Sequence, residues 1–168
     1  MIADLKLPRW AYLPGSTPEP DREPLERAKA LVPAAFIGGV APDQPAFGYG
    51  VELHDGGFFW EAHEVWEVVW KAAPKNACDR LILRALIQLA NAGLKLRMAR
   101  RQSAVRLFDE AVSELAEAAS RGCGAEPNGL AAALAFAAFV REVTTMREAL
   151  ISGTPHAPAI TVGPHLRS

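Results

Sequence analysis

The sequence predicts an all-α fold, a single-domain antiparallel bundle of four to five helices with an irregular Pro/Gly-rich N-terminal arm. Four long stretches repeat their apolar residues with helical spacing, and glycine or proline separates one stretch from the next. Apart from residues 159–162, no stretch alternates polar and apolar residues as a half-buried strand does. We therefore expect one helical core within the 168 residues.

Residues 1–48 are predicted to form the arm. Eight of the thirteen prolines lie within the first fifty residues, where they interrupt every periodic pattern. Between them, residues 24–31 are predicted to form a short helix that Pro33 ends. Trp10, Tyr12 and Phe36 give the arm apolar side chains that can pack on the body, residues 49–153. The last fifteen residues, 154–168, contain three prolines and are predicted to be a tail.

The helices of the body follow from their breakers and caps. Residues 51–55 are predicted to form one helical turn, which Gly56 and Gly57 stop. Four longer helices are predicted at about residues 58–71, 78–100, 103–121 and 129–151, the last after a start signal at Pro127-Asn128. A glycine inside the second of these, Gly93, is expected where a partner helix approaches closely.

Charge and composition exclude several classes of protein. Eighteen basic residues nearly balance nineteen acidic ones, so no long-range field attracts nucleic acid or an anionic membrane. The most apolar stretch, residues 130–140, is shorter than the ~20 residues that span a bilayer. The N-terminus contains no apolar run typical of an export signal, and we expect a cytoplasmic protein. Cys78 and Cys123 form no C-x-x-C pair and are expected to be small, partly buried thiols in a reducing compartment.

Aromatic and titratable residues are most concentrated at residues 58–70, which read FFWEAHEVWEVVW. At about 100° per residue, an apolar face forms the predicted core seam, which comprises Phe59, Ala62, Trp66, Val69 and Trp70. His63 and Glu67 lie one turn apart at the edge of this face, beside Trp60, and Glu64 lies further round. Glu61 and Val68 are predicted to point the other way.

The second long helix carries a narrow polar stripe of Arg84, Gln88, Asn91 and Lys95. If the first two long helices form an antiparallel hairpin, the inner part of this stripe meets His63 and Glu67 in a polar pocket. The alternative is that the stripe is a solvated face and that His63 is a core histidine hydrogen-bonded to Glu67 or Gln88. The sequence leaves both interpretations open.

A metal site is the sharper hypothesis for the same residues. His63 and Glu67 have the i, i+4 spacing that lets two helical residues share one ion, and Glu64 is a third donor. The zinc-protease pattern requires a second histidine where this chain has Glu67, and a di-iron carboxylate pattern requires a glutamate where it has Trp60. No cofactor is therefore expected, with a divalent metal as the alternative.

The same residues resemble a known family. The motif FFWEAHEVWEVVW followed by LIQLANAGLKL is similar to the bacterial and archaeal family called domain of unknown function 309, over about residues 49–118. That family has an F-x-E-A-H-E-x-W-E-x-x-W helix, a helix with an L-I-Q-L-A core and a helix beginning A-x-x-L. The matching segments are residues 59–70, 86–90 and 104–107.

The resemblance implies a small all-α fold in which His63, Glu64, Glu67 and Gln88 match the family's polar positions. Arg84 and Ala85 differ from it, because they stand where Gln-Gly is expected and place a charge near the polar cluster.

The leading interpretation of function is a non-enzymatic binding or scaffold module with a polar pocket around His63. We expect its ligand to be a small molecule or a protein, and a homodimer is the expected assembly. The alternative is a small metal-dependent hydrolase in which Glu64 or Glu67 is the general base. Whether the chain is an enzyme stays open. Nucleic-acid binding through the basic cluster at residues 95–106 is not favoured, because that cluster lacks interleaved aromatics.

Overall fold

A computed structural model describes residues 4–125, 129–153 and 160–166, and it confirms the all-α prediction. No strand occurs within these ranges, where residues 160–162 of the strand-like segment have no regular structure. The α-helices are α1 Arg22–Lys29, α2 Pro45–Asp55, α3 Phe59–Ala72, α4 Cys78–Arg97, α5 Arg101–Ser120, α6 Leu130–Ala133 and α7 Phe136–Ser152. Short 3-10 helices occupy Cys123–Ala125 and Gly163–His165. None of the helices in the described ranges has the length and apolarity needed to cross a bilayer.

The central helices α3, α4 and α5 are consecutive antiparallel neighbours. At the start of α3 the Phe59 ring lies against Gly93 near the end of α4, and at the end of α3 the Trp70 carbonyl accepts from Arg80 near the start of α4. A Cβ at Gly93 would lie 2.7 Å from the Phe59 ring, so this glycine permits the close approach predicted for it. Between α4 and α5, Arg84 pairs with Glu114 while Gln88 pairs with Glu110, a register that runs in opposite directions along the two helices.

The predicted core seam of α3 is confirmed at its centre. Ala62, Trp66 and Val69 are fully buried. Phe59 and Trp70, at the two ends of the helix, remain half-buried. The indole Nε1 of Trp66 donates to the carbonyl of Phe47 at 3.2 Å, which ties α3 to α2.

The predicted fourth long helix is wrong as a single element, because it is split between α6 and α7. Leu134 is extended, with ψ of 138°, and forms an isolated antiparallel bridge with Leu166. The backbone N–H of Ala135 donates to the carbonyl oxygen of His165 at 2.7 Å. The C-terminal segment, residues 160–166, thus pairs with the backbone at residues 134–135, where a continuous helix would need its own i to i−4 hydrogen bonds. The start signal at residues 127–128 lies outside the described residues.

The chain on both sides of the central helices packs onto them. In the arm, α2 begins at Pro45, well before the single turn that the sequence predicted, and Gln44 caps it by accepting from the Phe47 N–H at 2.9 Å. The Tyr49 hydroxyl donates to the Lys6 carbonyl at 2.8 Å. In the C-terminal segment Ile160 and Val162 are buried.

The two cysteines form a disulfide, so the prediction of two separate thiols is wrong. Cys78 and Cys123 are joined across a sequence separation of 45 residues. Cys78 begins α4 and Cys123 begins the 3-10 helix after α5, which places both at the open end of the α4–α5 hairpin. Sequence spacing carried no signal for this pairing, because only the hairpin brings the two residues together.

Candidate functional site

Helix α3 brings His63, Glu64 and Glu67 together as the sequence predicted. One donor atom from each of the three side chains lies within 4.8 Å of the others. The Nδ1 atom of His63 is buried, has no hydrogen-bond partner among the described residues, and lies 3.8 Å from Oε1 of Glu64. One imidazole nitrogen and two carboxylates are a donor set that divalent transition metals accept. The helical spacing alone produces the grouping, since residues one turn apart share a face.

Two lysines already neutralise the carboxylates of this cluster. Lys29 of α1 donates to Oε2 of Glu64 at 3.1 Å and also to Glu26 at 3.2 Å. Lys71 lies 3.2 Å from Glu67, one turn further along α3. The Lys29 side chain is 16% exposed, whereas that of Lys71 is 61% exposed, so the Lys29 contact is the better shielded of the two. Any cation that binds here competes with these ammonium groups.

Trp60 forms the next turn of the same surface and lies under the arm. The Tyr12 ring meets it edge to face with the centroids 5.0 Å apart, and the guanidinium of Arg22 lies 5.4 Å from its centroid. Both contacts come from residues that precede the central helices. The arm therefore reaches the edge of the candidate site.

The polar stripe of α4 makes its side-chain bonds to α5. Arg84 lies 3.2 Å from Glu114, and its side chain is 55% exposed. Gln88 donates to Glu110, and Asn91 is half-buried. Among the described residues these side chains show no hydrogen bond to His63 or Glu67, and their place in a His63 pocket stays a prediction. The solvated-face alternative describes Arg84 better.

Glu61 is buried, although the sequence predicted that it points away from the core seam of α3. Its side chain is fully buried, and its Oε1 accepts from the backbone N–H of Tyr12 at 2.6 Å. Its Oε2 has no hydrogen-bond partner in the part of the chain that the structure describes. Burial raises the pKa of Glu61, although the Tyr12 N–H and Arg97 act in the opposite direction. The helix period placed Glu61 away from the core correctly, but it carried no information that the arm covers that side.

A second acidic residue, Asp55, holds the C-terminal segment. Its oxygens accept from the N–H groups of Val162 and Gly163, each at 2.8 Å. The adjacent His54 is 3% exposed, with Nδ1 3.2 Å from Oδ1 of Asp55. Burial raises the pKa of Asp55, but hydrogen bonds from His54, Val162 and Gly163 outweigh it and the pKa lies below its usual value. This pair is a structural tether and lies outside the predicted site.

His165 is bound elsewhere in the structure. His165 pairs with Glu142 of α7, and its ring packs on Phe139 with the centroids 5.4 Å apart. His156 falls outside the described residues. His63 is therefore the one histidine of the described chain that lies beside Glu64 and Glu67.

Comparison with known proteins connects this site to a family. The family model described as Domain of unknown function (DUF309) matches residues 47–107, which include all of α3 and α4 and the start of α5. The match confirms the resemblance seen in the sequence. Searches of curated proteins and of solved structures returned no match.

Proposed function

We propose that the protein is a cytoplasmic, non-enzymatic binding module whose polar site around His63 takes a divalent metal ion. The site lies within residues 47–107, the span that matches the family model. The observation that carries the proposal is the His63 side chain, which is grouped with the carboxylates of Glu64 and Glu67 and whose buried Nδ1 has no hydrogen-bond partner among the described residues. A buried polar atom without a partner costs about 1–3 kcal/mol, and a ligand bound there would relieve that penalty.

The chemistry of the three donors narrows the choice of ion. Imidazole suits zinc, copper, iron and nickel, and carboxylates add manganese. His63, Glu64 and Glu67 together leave coordination positions open, which suits an ion that also holds water or a second ligand. A bound ion would displace Lys29 and Lys71 from the carboxylates, so we expect moderate affinity.

Thermal unfolding with added metal tests the proposal directly. Zn²⁺, Mn²⁺ and Fe²⁺ are added separately to the wild type, to His63→Ala and to Glu117→Gln, a matched carboxylate change on the exposed face of α5. An ion at a hundred times its Kd adds about 2.7 kcal/mol to the free energy of unfolding, because it binds only the folded state. This corresponds to a rise in Tm of roughly 5–10 °C.

We expect the shift in the wild type and in Glu117→Gln, and its loss in His63→Ala. Equal shifts in all three proteins would place the ion elsewhere. No shift with any of the three ions would reject a metal at this site and leave a metal-free binding module, for which retention of small polar molecules on the purified protein is the next measurement.

A metal-dependent hydrolase is the second candidate, since an ion on His63 with open positions could activate water while Glu64 or Glu67 takes the proton. Turnover of model esters and phosphodiesters by the metal-loaded protein distinguishes the two functions. Metal binding without turnover favours the binding module. Turnover that disappears in His63→Ala and in Glu67→Gln favours the hydrolase.

The proposal also concerns assembly and architecture. We take the chain as one antiparallel bundle of four to five principal helices, residues 49–153, covered by the arm, and we propose that it forms a homodimer. Apolar side chains that remain at the surface support this, including Ile37, which is fully exposed, and Ile151, which is 53% exposed. Light scattering coupled to size-exclusion chromatography at micromolar concentrations tests it, and a monomer throughout would reject the dimer.

A further inference from the structure

The Cys78–Cys123 disulfide lies next to a second tie between distant parts of the chain. The residue after Cys78, Asp79, is 4% exposed and belongs to the first turn of α4. Its Oδ2 accepts from the N–H of Val40 at 2.7 Å, and its Oδ1 accepts from the N–H of Leu130 at 2.8 Å. Two consecutive residues of α4 therefore hold three other segments, which are the loop at residue 40, the start of α6 and the 3-10 helix at Cys123.

Glycines allow the two loops to approach the carboxylate. A Cβ at Gly39 would lie 2.9 Å from Oδ2 of Asp79, and one at Gly129 would lie 2.7 Å from Oδ1. Both glycines have positive φ, at 124° and 85°, which other residues rarely adopt. Glycine at both positions thus leaves the space that the Asp79 carboxylate occupies and allows the backbone conformation that brings each loop to it.

A cavity lies between the two segments that Asp79 holds. It has a volume of about 280 Å³, with one wall formed by residues 37–42 and the other by Gly129 and Ala132. The N–H groups of Val40 and Leu130, one from each wall region, both end on Asp79. The width of this cavity therefore depends on how firmly the first turn of α4 holds both segments.

We propose that Cys78 and Cys123 form a thiol–disulfide exchange site that locks this end of the bundle when oxidised and loosens the walls of the cavity when reduced. Cys123 precedes Leu130 by only seven residues, so the covalent bond fixes the chain close to where Asp79 grips it. Without the bond, the wall formed by Gly129 is restrained by the Leu130 N–H contact with Asp79 and by the burial of Leu130 and Ala131 in the core. The proposal is independent of the metal site at His63.

The exchange needs a dithiol as reductant. A thiolate of the dithiol attacks the sulfur of Cys78, the residue of the pair with measurable exposure, at 8%. The Cys78–Cys123 bond breaks, Cys123 leaves as a thiolate and then takes a proton, and a mixed disulfide forms at Cys78. The second thiol of the reductant breaks that mixed disulfide, so that Cys78 is released and the reductant becomes a cyclic disulfide.

The compartment decides the resting state. In a reducing cytoplasm the pair rests as two thiols, and a disulfide oxidant such as oxidised glutathione closes the bond by the reverse of the same exchange. The loosened form is then the ordinary state and the closed form is the response to oxidation.

Amide hydrogen exchange tests the proposal. The full-length oxidised protein is compared with the same protein after dithiothreitol and with the Cys78→Ser/Cys123→Ser double variant. We expect reduction to speed exchange at the N–H groups of Val40 and Leu130 at least tenfold and to leave both amides much less protected than that of Val69 in α3, which exchanges only on global unfolding. Oxidised glutathione should restore protection in the reduced wild type and leave the double variant unchanged.

Three results would overturn the proposal. Unchanged exchange at Val40 and Leu130 after reduction would show that Asp79 holds both walls unaided. Protection at Val40 and Leu130 that still equals the protection at Val69 after reduction would mean a general loss of stability with no local lock. If dithiothreitol frees no thiols in the folded protein, the bond is structural and inaccessible. As a control, Asp79→Ala should speed exchange at the same two amides while the disulfide stays intact.

Discussion

Replacement of Trp66 measures the packing that supports the whole candidate site, because this side chain anchors α3. Trp66 is fully buried and donates to the Phe47 carbonyl at 3.2 Å. Its ring also lies against Gly50, where a Cβ would be 2.2 Å from Nε1, so α2 and α3 touch through this residue. Trp66→Ala leaves a cavity that the backbones of two helices cannot easily close. We expect the free energy of unfolding to fall by about 3–5 kcal/mol.

Trp66→Phe separates packing from hydrogen bonding. The smaller ring retains most of the buried apolar surface but loses the donor to Phe47, and we expect a loss of about 1–2 kcal/mol. Urea unfolding followed by far-ultraviolet circular dichroism gives both values. Native stabilities of about 5–15 kcal/mol leave room to measure either variant. A loss below 1 kcal/mol for Trp66→Ala, at an unchanged slope on urea, would refute the assignment of this face to the core.

The remaining predictions concern the covalent bond, the close helix contact and the C-terminal tether. The Cys78→Ser/Cys123→Ser variant should have a free energy of unfolding lower by about 4 kcal/mol, because the disulfide closes a loop of 45 residues and so reduces the entropy of the unfolded chain. We expect its Tm to fall by roughly 10 °C, and a fall of less than about 3 °C would contradict this prediction. Gly93→Ala should lower Tm despite the better helix propensity of alanine, because its Cβ would lie 2.7 Å from the Phe59 ring, and an increase in Tm would exclude that contact. Asp55→Ala should destabilise the protein near neutral pH, because the folded state lowers the pKa of Asp55 and therefore favours its ionised form. This contribution to the free energy of unfolding is complete above about pH 4 and is lost as the pH falls through the lowered pKa. The difference between wild type and Asp55→Ala should therefore shrink in acid, and a difference that grows there would reverse the sign of this argument.

Local patterns predicted the central helices well. The ends of α3, α4 and α5 lie within three residues of their predicted positions, because Pro74, Gly122 and the apolar period act within one or two turns. The grouping of His63, Glu64 and Glu67 was equally predictable, since it requires only a helix. The function of Gly93 followed from the same reasoning, because a glycine in a helix interior needs a packing reason.

Features that depend on distant partners were not predictable. The break at Leu134 exists because the C-terminal segment bonds to that backbone, and alanine-rich sequence on both sides gave no sign of it. Glu61 and Asp79 are buried because other segments bring N–H groups to them. A single sequence does not reveal which carboxylate a loop will cover. The disulfide between Cys78 and Cys123 was not predicted for the same reason.

Three acidic side chains within the family-matched span reach outside it. Glu61 accepts from Tyr12, Asp79 from Val40 and Leu130, and Asp55 from the C-terminal segment. In an excised fragment of residues 47–107 these carboxylates would be exposed to water, and the segments that donate hydrogen bonds to them would be absent. Boundaries for expression are therefore better drawn to include residues 4–166 than around the span that the family model matches.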